Sequence, residues 1–155
     1  MSRSDATRRF AARVENYARY RPDYPAAALD HLQADCRIPQ AAEIAELGSG
    51  TGLLTRQLLD RGFRVFAVEP NLEMRKAAEE RLAQRAGFVS VAGTAEATTL
   101  ADATVDAIVA AQAFHWFDRP RAKPEFGRIL RPRAPVVLLW NYRKHEATAF
   151  LAGYE

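Results

Sequence analysis

Between Ala45 and Gly52 an apolar run closes on an acid, Glu46, and three glycines follow at alternate positions: Gly48, Gly50 and Gly52, with Ser49 and Thr51 between them. A helical pattern begins at once, with Leu53, Leu54, Leu58 and Leu59. Glycine lets a backbone turn sharply and approach a ligand closely, because no Cβ stands in the way. The helix N-terminus behind the turn offers unpaired N–H groups. A turn of this kind belongs at the carboxyl end of a strand in an open parallel sheet, where such folds bind their ligands. The acid at its start argues against a bare phosphate, which like charge would repel.

The rest of the chain repeats the pattern. Apolar runs at 43–47, 64–69, 88–91, 105–110 and 135–140 read as strands, and 51–61, 71–85 and 121–130 read as helices between them. Two further helices precede this core. One covers 5–19, with Phe10, Val14 and Tyr17 on one stripe, and the other covers 26–36, with Leu29 and Leu32 facing inward. The turn Arg21-Pro22-Asp23-Tyr24-Pro25 separates them. Strand starts spaced by roughly 17 to 30 residues match the length of a βαβ unit. The expected fold is therefore a Rossmann-like, doubly wound, mostly parallel α/β sheet of about five strands. With 155 residues, 48% of them hydrophobic, the chain reads as a single domain with an ordinary core.

Composition narrows the function classes. The net charge of +3 is mild and the two signs are interspersed. Arg3, Arg8, Arg9, Arg13, Arg19 and Arg21 form a local basic excess, read as a solvated helix face in preference to a nucleic-acid surface. The single cysteine, Cys36, rules out an intramolecular disulfide and reads as a small half-buried apolar residue. His31, His115 and His145 lack ligand spacing, so no structural metal is expected. There is no signal peptide and no run long enough to span a bilayer, and the expected compartment is the cytoplasm.

The chemistry gathers at the strand ends. The second strand runs into Glu69, where an acid in a doubly wound fold accepts hydrogen bonds from ribose hydroxyls; the competing reading is a helix cap, which Pro70-Asn71 makes plausible. After the third strand, Gly93-Thr94-Ala95-Glu96-Ala97 reads equally as a seat for a flat base or as a plain surface loop. After the fourth, Gln112-Ala113-Phe114-His115-Trp116-Phe117-Asp118 sets three aromatics and a histidine beside an open strand end. These either meet a ligand or cover the sheet edge. A dinucleotide fingerprint would place a third glycine at position 53, where this chain has Leu53, which weakens a nicotinamide reading.

Taken in order, these pieces resemble the class I S-adenosylmethionine-dependent methyltransferases, within them the small-molecule branch with the type 11 methyltransferase domain, which includes enzymes similar to trans-aconitate methyltransferase. The resemblance rests on Glu46-x-Gly48-x-Gly50-x-Gly52, on Val68-Glu69-Pro70-Asn71 with Met74, on Gly93-Thr94-Ala95-Glu96, on Gln112 to Phe117, on Leu130-Arg131-Pro132 with the strand to Asn141, and on Tyr17-x-x-Tyr20-Arg21-Pro22-x-Tyr24-Pro25. It implies S-adenosyl-L-methionine as cofactor and a small-molecule methyl acceptor. It implies that the glycine turn, with Ser49 and Thr51, faces the amino-acid and ribose portion, with Glu46 beneath the α-ammonium. Glu69, followed by Pro70, Asn71 and Met74, would hold the ribose diol. Thr94, Ala95 and Glu96 would border adenine, and Gln112 would lie near the methionyl part. Phe114 and Trp116 offer faces for a sulfonium, and Tyr17 and Arg21 would close over the cofactor. His115 is the histidine placed to act as a base where the acceptor must lose a proton, with packing as its competing role.

The resemblance divides the chain into a helical lid at 1–37, a cofactor-binding core at 42–142, and the start of a truncated helix at 143–155. Two departures carry expectations. The family's glycines after Leu-Arg-Pro are replaced by Arg133-Ala134, and a local rearrangement is expected, because arginine adopts a positive φ less readily. The family's C-terminal antiparallel hairpin has no sequence here, so the chain reads as a fragment, a shortened product or half of a paired assembly. The fifth strand would then be an open apolar edge, and self-association through it is expected. Rival functions are a binding module without catalysis and a nicotinamide-dependent oxidoreductase.

Overall fold

A computed structural model describes residues 22–141. The expected helices over 5–19 and 143–155, and with them Tyr17 and Arg21, lie outside the described residues. Helix α1 (Ala26–Ala34) leads to β1 (Glu43–Leu47), α2 (Leu53–Asp60), β2 (Arg64–Val68), α3 (Leu72–Leu82), β3 (Phe88–Val91) and β4 (Ala107–Ala111). A 3-10 turn (Phe114–Trp116), helix α4 (Arg119–Ile129) and β5 (Val136–Leu139) complete the order. Among the described residues every strand pairing is parallel, and the sheet runs β3-β2-β1-β4-β5. The expected doubly wound, mostly parallel sheet of about five strands is what the chain forms, with five strands all paired parallel among the described residues.

The strands are short apolar runs because both faces of a parallel sheet are covered. On one face Ile44, Val65, Ala107 and Val109 pack with Leu29 and Leu32 of α1 and with Leu54, Leu58 and Leu59 of α2. On the other, Ala45, Leu47, Phe66, Val68 and Ile108 meet Ala122 and Ile129 of α4. No helix among the described residues is long and apolar enough to cross a membrane.

The segment entering α1 is tied to α2. The Gln57 amide brackets the Tyr24 backbone, accepting from its N–H at 3.1 Å and donating to its carbonyl at 2.8 Å. Arg56 adds an ion pair to Asp23 at 2.6 Å. The chain before α1 is thereby held to the helix that follows the glycine turn.

Strand order reverses between β1 and β4. Successive units from β1 go outward through β2 to β3, then the chain returns to lay β4 on the other side of β1. Ligands of open α/β sheets sit in the crevice at such a switch point, outside the carboxyl ends of the strands. Here the switch point brings the glycine turn against the loop after β4, with Ala113 and Phe117 beside Gly48.

Two sequence expectations are corrected. The fourth strand begins at Ala107 rather than at 105, because Val105 forms an isolated bridge with Leu130 and Asp106 turns its carboxylate to the Glu43 N–H, 2.8 Å away. The turn before β5 is not rearranged: Arg133 takes a φ of 67° itself, and the Ala134 N–H reaches the Arg131 carbonyl at 3.1 Å. Arginine thus occupies the left-handed region at a strain cost of about 1–3 kcal/mol.

Candidate cofactor site

The three glycines share a left-handed backbone, with φ of 72°, 59° and 79° at Gly48, Gly50 and Gly52, but serve different ends. A Cβ on Gly48 would stand 2.7 Å from the Ala113 Cβ, so this glycine lets the loop after β4 close on the loop after β1. A Cβ on Gly52 would meet Leu82 Cδ1 at 2.7 Å and Ala78 Cβ at 3.2 Å, so this one lets α3 pack against the turn. A Cβ on Gly50 would find only Met74 Sδ, at 3.8 Å. Gly50 is therefore the glycine whose missing side chain leaves room.

The turn's N–H groups are largely taken up within the protein. Gly48 and Ser49 donate to the Val68 carbonyl at 2.9 and 3.2 Å, Gly52 donates to the Ser49 carbonyl at 3.1 Å, and Gly50 donates to Glu69 Oε2 at 2.8 Å. Ser49 and Thr51 are themselves buried. With Gly50 bonded to a carboxylate, this is a poor phosphate cradle, as Glu46 had already suggested.

Glu69 is buried and its other oxygen accepts the Asn71 N–H at 2.8 Å. Burial raises its carboxyl above the usual range, opposed by the bonds from Asn71 and Gly50 and by the charge of Arg75. It does not cap α3. That task falls to Asn71, whose Oδ1 accepts the Met74 N–H at 3.0 Å. Each Glu69 oxygen keeps a second acceptor position, which suits a vicinal diol. Met74 lies buried beneath Gly50, while Pro70 is exposed.

Glu46 is 2% exposed and accepts a bond from Thr55 Oγ1 at 2.6 Å. Burial pushes its carboxyl up to about 8; the Thr55 bond opposes this and the Glu69 charge adds to it. Two acids thus flank the glycine turn, one below it and one facing it.

The loop after β3 is a tight turn in which Thr94 and Ala97 exchange backbone bonds at 3.1 and 3.2 Å. Ala95 is buried in the sheet's second cluster. Glu96 Oε1 accepts the Asp118 N–H at 2.7 Å, tying this loop to the segment after β4. The structure also supplies a clasp that sequence reasoning missed. Glu125 of α4 accepts from both the N–H and the hydroxyl of Thr98, at 2.8 and 2.5 Å, and is forked by Arg128. The Arg128 bonds lead in holding Glu125 down to about 2. A glutamate three residues before an arginine reads from sequence as a solvated helix pair; nothing local announces its third partner.

After β4, Gln112 adopts a φ of 56° and is pinned to β5 by its N–H on the Leu139 carbonyl at 2.9 Å. Phe117 stands edge-on to Phe114 at 5.7 Å and to Phe126 at 6.4 Å, and anchors the segment in the core. The Arg119 guanidinium lies 5.2 Å from the centroid of the Phe114 ring. His115 and Trp116 are exposed, with ring centroids 4.7 Å apart. Phe117 thus covers the sheet, while His115 and Trp116 stand exposed beyond the end of β4.

A parallel five-stranded sheet with its switch point at a glycine turn, and a strand-end acid bonded into that turn, defines a Rossmann-like α/β domain. Residues 45–138 match the methyltransferase domain family, and the chain belongs to it, as a class I S-adenosylmethionine-dependent methyltransferase domain. It is 44% identical over 143 residues to an uncharacterized methyltransferase of Mycobacterium tuberculosis, covering 92% of this chain and 56% of that protein. An uncharacterized methyltransferase of Schizosaccharomyces pombe is 31% identical over 140 residues, covering 88% of this chain and 53% of that one. The chain thus spans a little over half the length of these relatives. Among solved structures, a methyltransferase of Anabaena variabilis named for an antibiotic biosynthesis pathway superposes with a TM-score of 0.66 at 30% identity, covering 77% of this chain and 46% of that one. An S-adenosylmethionine-dependent methyltransferase of Thermotoga maritima, named as a possible histamine N-methyltransferase, gives 0.56 at 30% identity, covering 79% and 55%.

Proposed function

We propose that this domain binds S-adenosylmethionine at the switch point and promotes transfer of its methyl group to a small-molecule acceptor. The observation that carries the reading is the Glu69 carboxylate bonded to Gly50 N–H, which fixes an acid at the rim of the only open glycine of the turn. The residues suit the cofactor. Glu69 offers acceptors to a ribose diol, and the room at Gly50 admits a bulky neighbour. Glu46 gives negative character beneath a cationic head group. Thr94 and Glu96 frame the base side, while Gln112, Phe114 and Trp116 border the methyl end. Tyr17 and Arg21 remain the expected closure over it. When bound, S-adenosylmethionine supplies an electrophilic methyl on a good leaving group. The protein's share is then mainly positioning, worth about 7–11 kcal/mol in well-oriented systems. His115 is the proposed base for acceptors that carry a proton to be lost. The name of the Thermotoga relative is consistent with a small nitrogenous acceptor. The nicotinamide rival falls with the family assignment.

Calorimetric titration with S-adenosylhomocysteine tests the binding half. Glu69→Gln should weaken binding at least tenfold, since it removes charge from two charge-assisted bonds worth about 1.5–3 kcal/mol each. Unchanged affinity would remove Glu69 from the site. For the transfer half, an acceptor panel with His115→Ala should show turnover reduced at least tenfold; equal turnover would leave His115 a packing residue. Binding without turnover on any acceptor would favour the non-catalytic module.

We propose also that a second copy pairs along β5, the last strand on its side of the sheet among the described residues. Val136, Leu138 and Trp140 alternate along it and are each more than a third exposed, which supports this reading.

A further inference from the structure

Glu46 is the buried titratable group that diol binding and methyl transfer leave unexplained. It sits near the end of β1 between Ala67 of β2 and Val109 of β4, neither of which can pair with it. Thr55 of α2 gives it one hydrogen bond, to Oε2. Among the described residues its other oxygen, Oε1, accepts no hydrogen bond, and the residue as a whole is 2% exposed. The charged group that acts on it is Glu69, and Arg75 of α3 acts in turn on Glu69. Arg75 is turned to Glu69, donating to its carbonyl at 2.9 Å, and Arg56 on the outer side of α2 pairs with Asp23 and Asp60. Among the described residues no cation is paired with Glu46. A carboxylate so enclosed, beside a second acid, is costly to charge.

We propose that Glu46 is protonated in the empty protein and releases its proton to solvent when a ligand bearing a cationic amino-acid head group settles over the glycine turn, so that ligand binding is coupled to pH through this residue. Burial of the carboxyl, which pushes it up to about 8, supports the same view. The incoming ammonium restores the charged form, because an opposite charge within about 4–6 Å lowers a carboxyl by roughly 1–3 units. The O–H bond of the carboxyl breaks, its electron pair stays on Oε1, and the proton goes to buffer. Thr55 keeps donating to Oε2 in both states and acts as a positioning residue. The coupling distinguishes ligands: an amino-acid nucleoside triggers it, whereas a neutral nucleoside does not.

This inference rests on the cofactor reading above, and one experiment separates their failures. S-adenosylhomocysteine is titrated into the full chain by calorimetry, at pH 6 to 8, in buffers of different ionisation enthalpy, with adenosine as the neutral comparison. About one proton should be released per S-adenosylhomocysteine near pH 7, and affinity should rise by up to about tenfold per pH unit below 8. Adenosine should release none. Glu46→Gln should bind more weakly, with the proton release and the pH slope both lost, whereas Glu69→Gln should keep a proton release, moved to lower pH because the neighbouring charge that raises Glu46 is gone. Binding of S-adenosylhomocysteine without proton release, or a slope that survives in Glu46→Gln, would overturn the inference and leave the cofactor reading standing. No binding at any pH would overturn both. The buffer comparison on the unsubstituted chain decides the matter even if Glu46→Gln fails to fold.

Discussion

Gly50 and Gly52 differ in what a methyl group would cost. Alanine at Gly52 must hold a φ of 79° while its Cβ meets Leu82 and Ala78, so Gly52→Ala should destabilise the domain by about 2–4 kcal/mol, read as a large fall in melting temperature. Gly50→Ala should cost only the backbone strain, about 1–2 kcal/mol, but should weaken S-adenosylhomocysteine binding more than Gly52→Ala does once both are measured in the folded state. Glu46 adds a pH signature. The folded protein keeps the Glu46 proton up to about pH 8, whereas the unfolded chain releases it near pH 4.5. The unfolded state therefore binds fewer protons across that window, and the contribution of Glu46 to stability is full at low pH and falls as pH rises. The decline should approach about 1.4 kcal/mol per pH unit, and thermal melts of Glu46→Gln from pH 5 to 8.5 should lack it.

The loops at the carboxyl edge of the sheet are braced by α4. Glu125 holds Thr98 by two bonds and Glu96 receives the Asp118 N–H, so the turn at 94–98 moves with the start and body of that helix. Glu125→Gln should speed amide exchange of residues 94–100 with little effect at the glycine turn. The folded Glu125 carboxyl stands near 2, below its unfolded value of 4.5, so its stabilising effect is full above pH 4.5 and is lost as pH falls toward 2. The difference in melting temperature between Glu125→Gln and the unsubstituted chain should shrink across that acid range. Most elements themselves were legible. The bounds of β1 and β3 fall where their apolar runs predict, since a run buried on both faces is a local signal. The clasp was not legible, because Thr98 and Glu125 lie 27 residues apart and meet only through the packing of α4.

At the scale of the whole domain, the sheet among the described residues ends on one side in β5, whose Val136, Leu138 and Trp140 project from the α4 face and are each more than a third exposed. If a second copy pairs there, light scattering should show a mass that rises toward twice the monomer with concentration. Leu138→Lys should hold the chain at monomer mass with a stability change within about 0.5 kcal/mol, as expected of a surface substitution. The positions of the turn and the strand-end acids and the alternation of strand and helix were legible in the sequence, because period and glycine content report on neighbours a few residues away. The sequence set Glu46 and Glu69 at neighbouring strand ends but said nothing of how each is partnered. The distinction arises from partners: Glu69 gains two backbone N–H groups from Gly50 and Asn71, while Glu46 is enclosed with a lone threonine bond. The three glycines were likewise alike in sequence until Ala113, Leu82 and Ala78 came up against two of them and left the third open. Burial and pairing depend on which distant segments the sheet order brings together, and that order is a property of the folded chain alone.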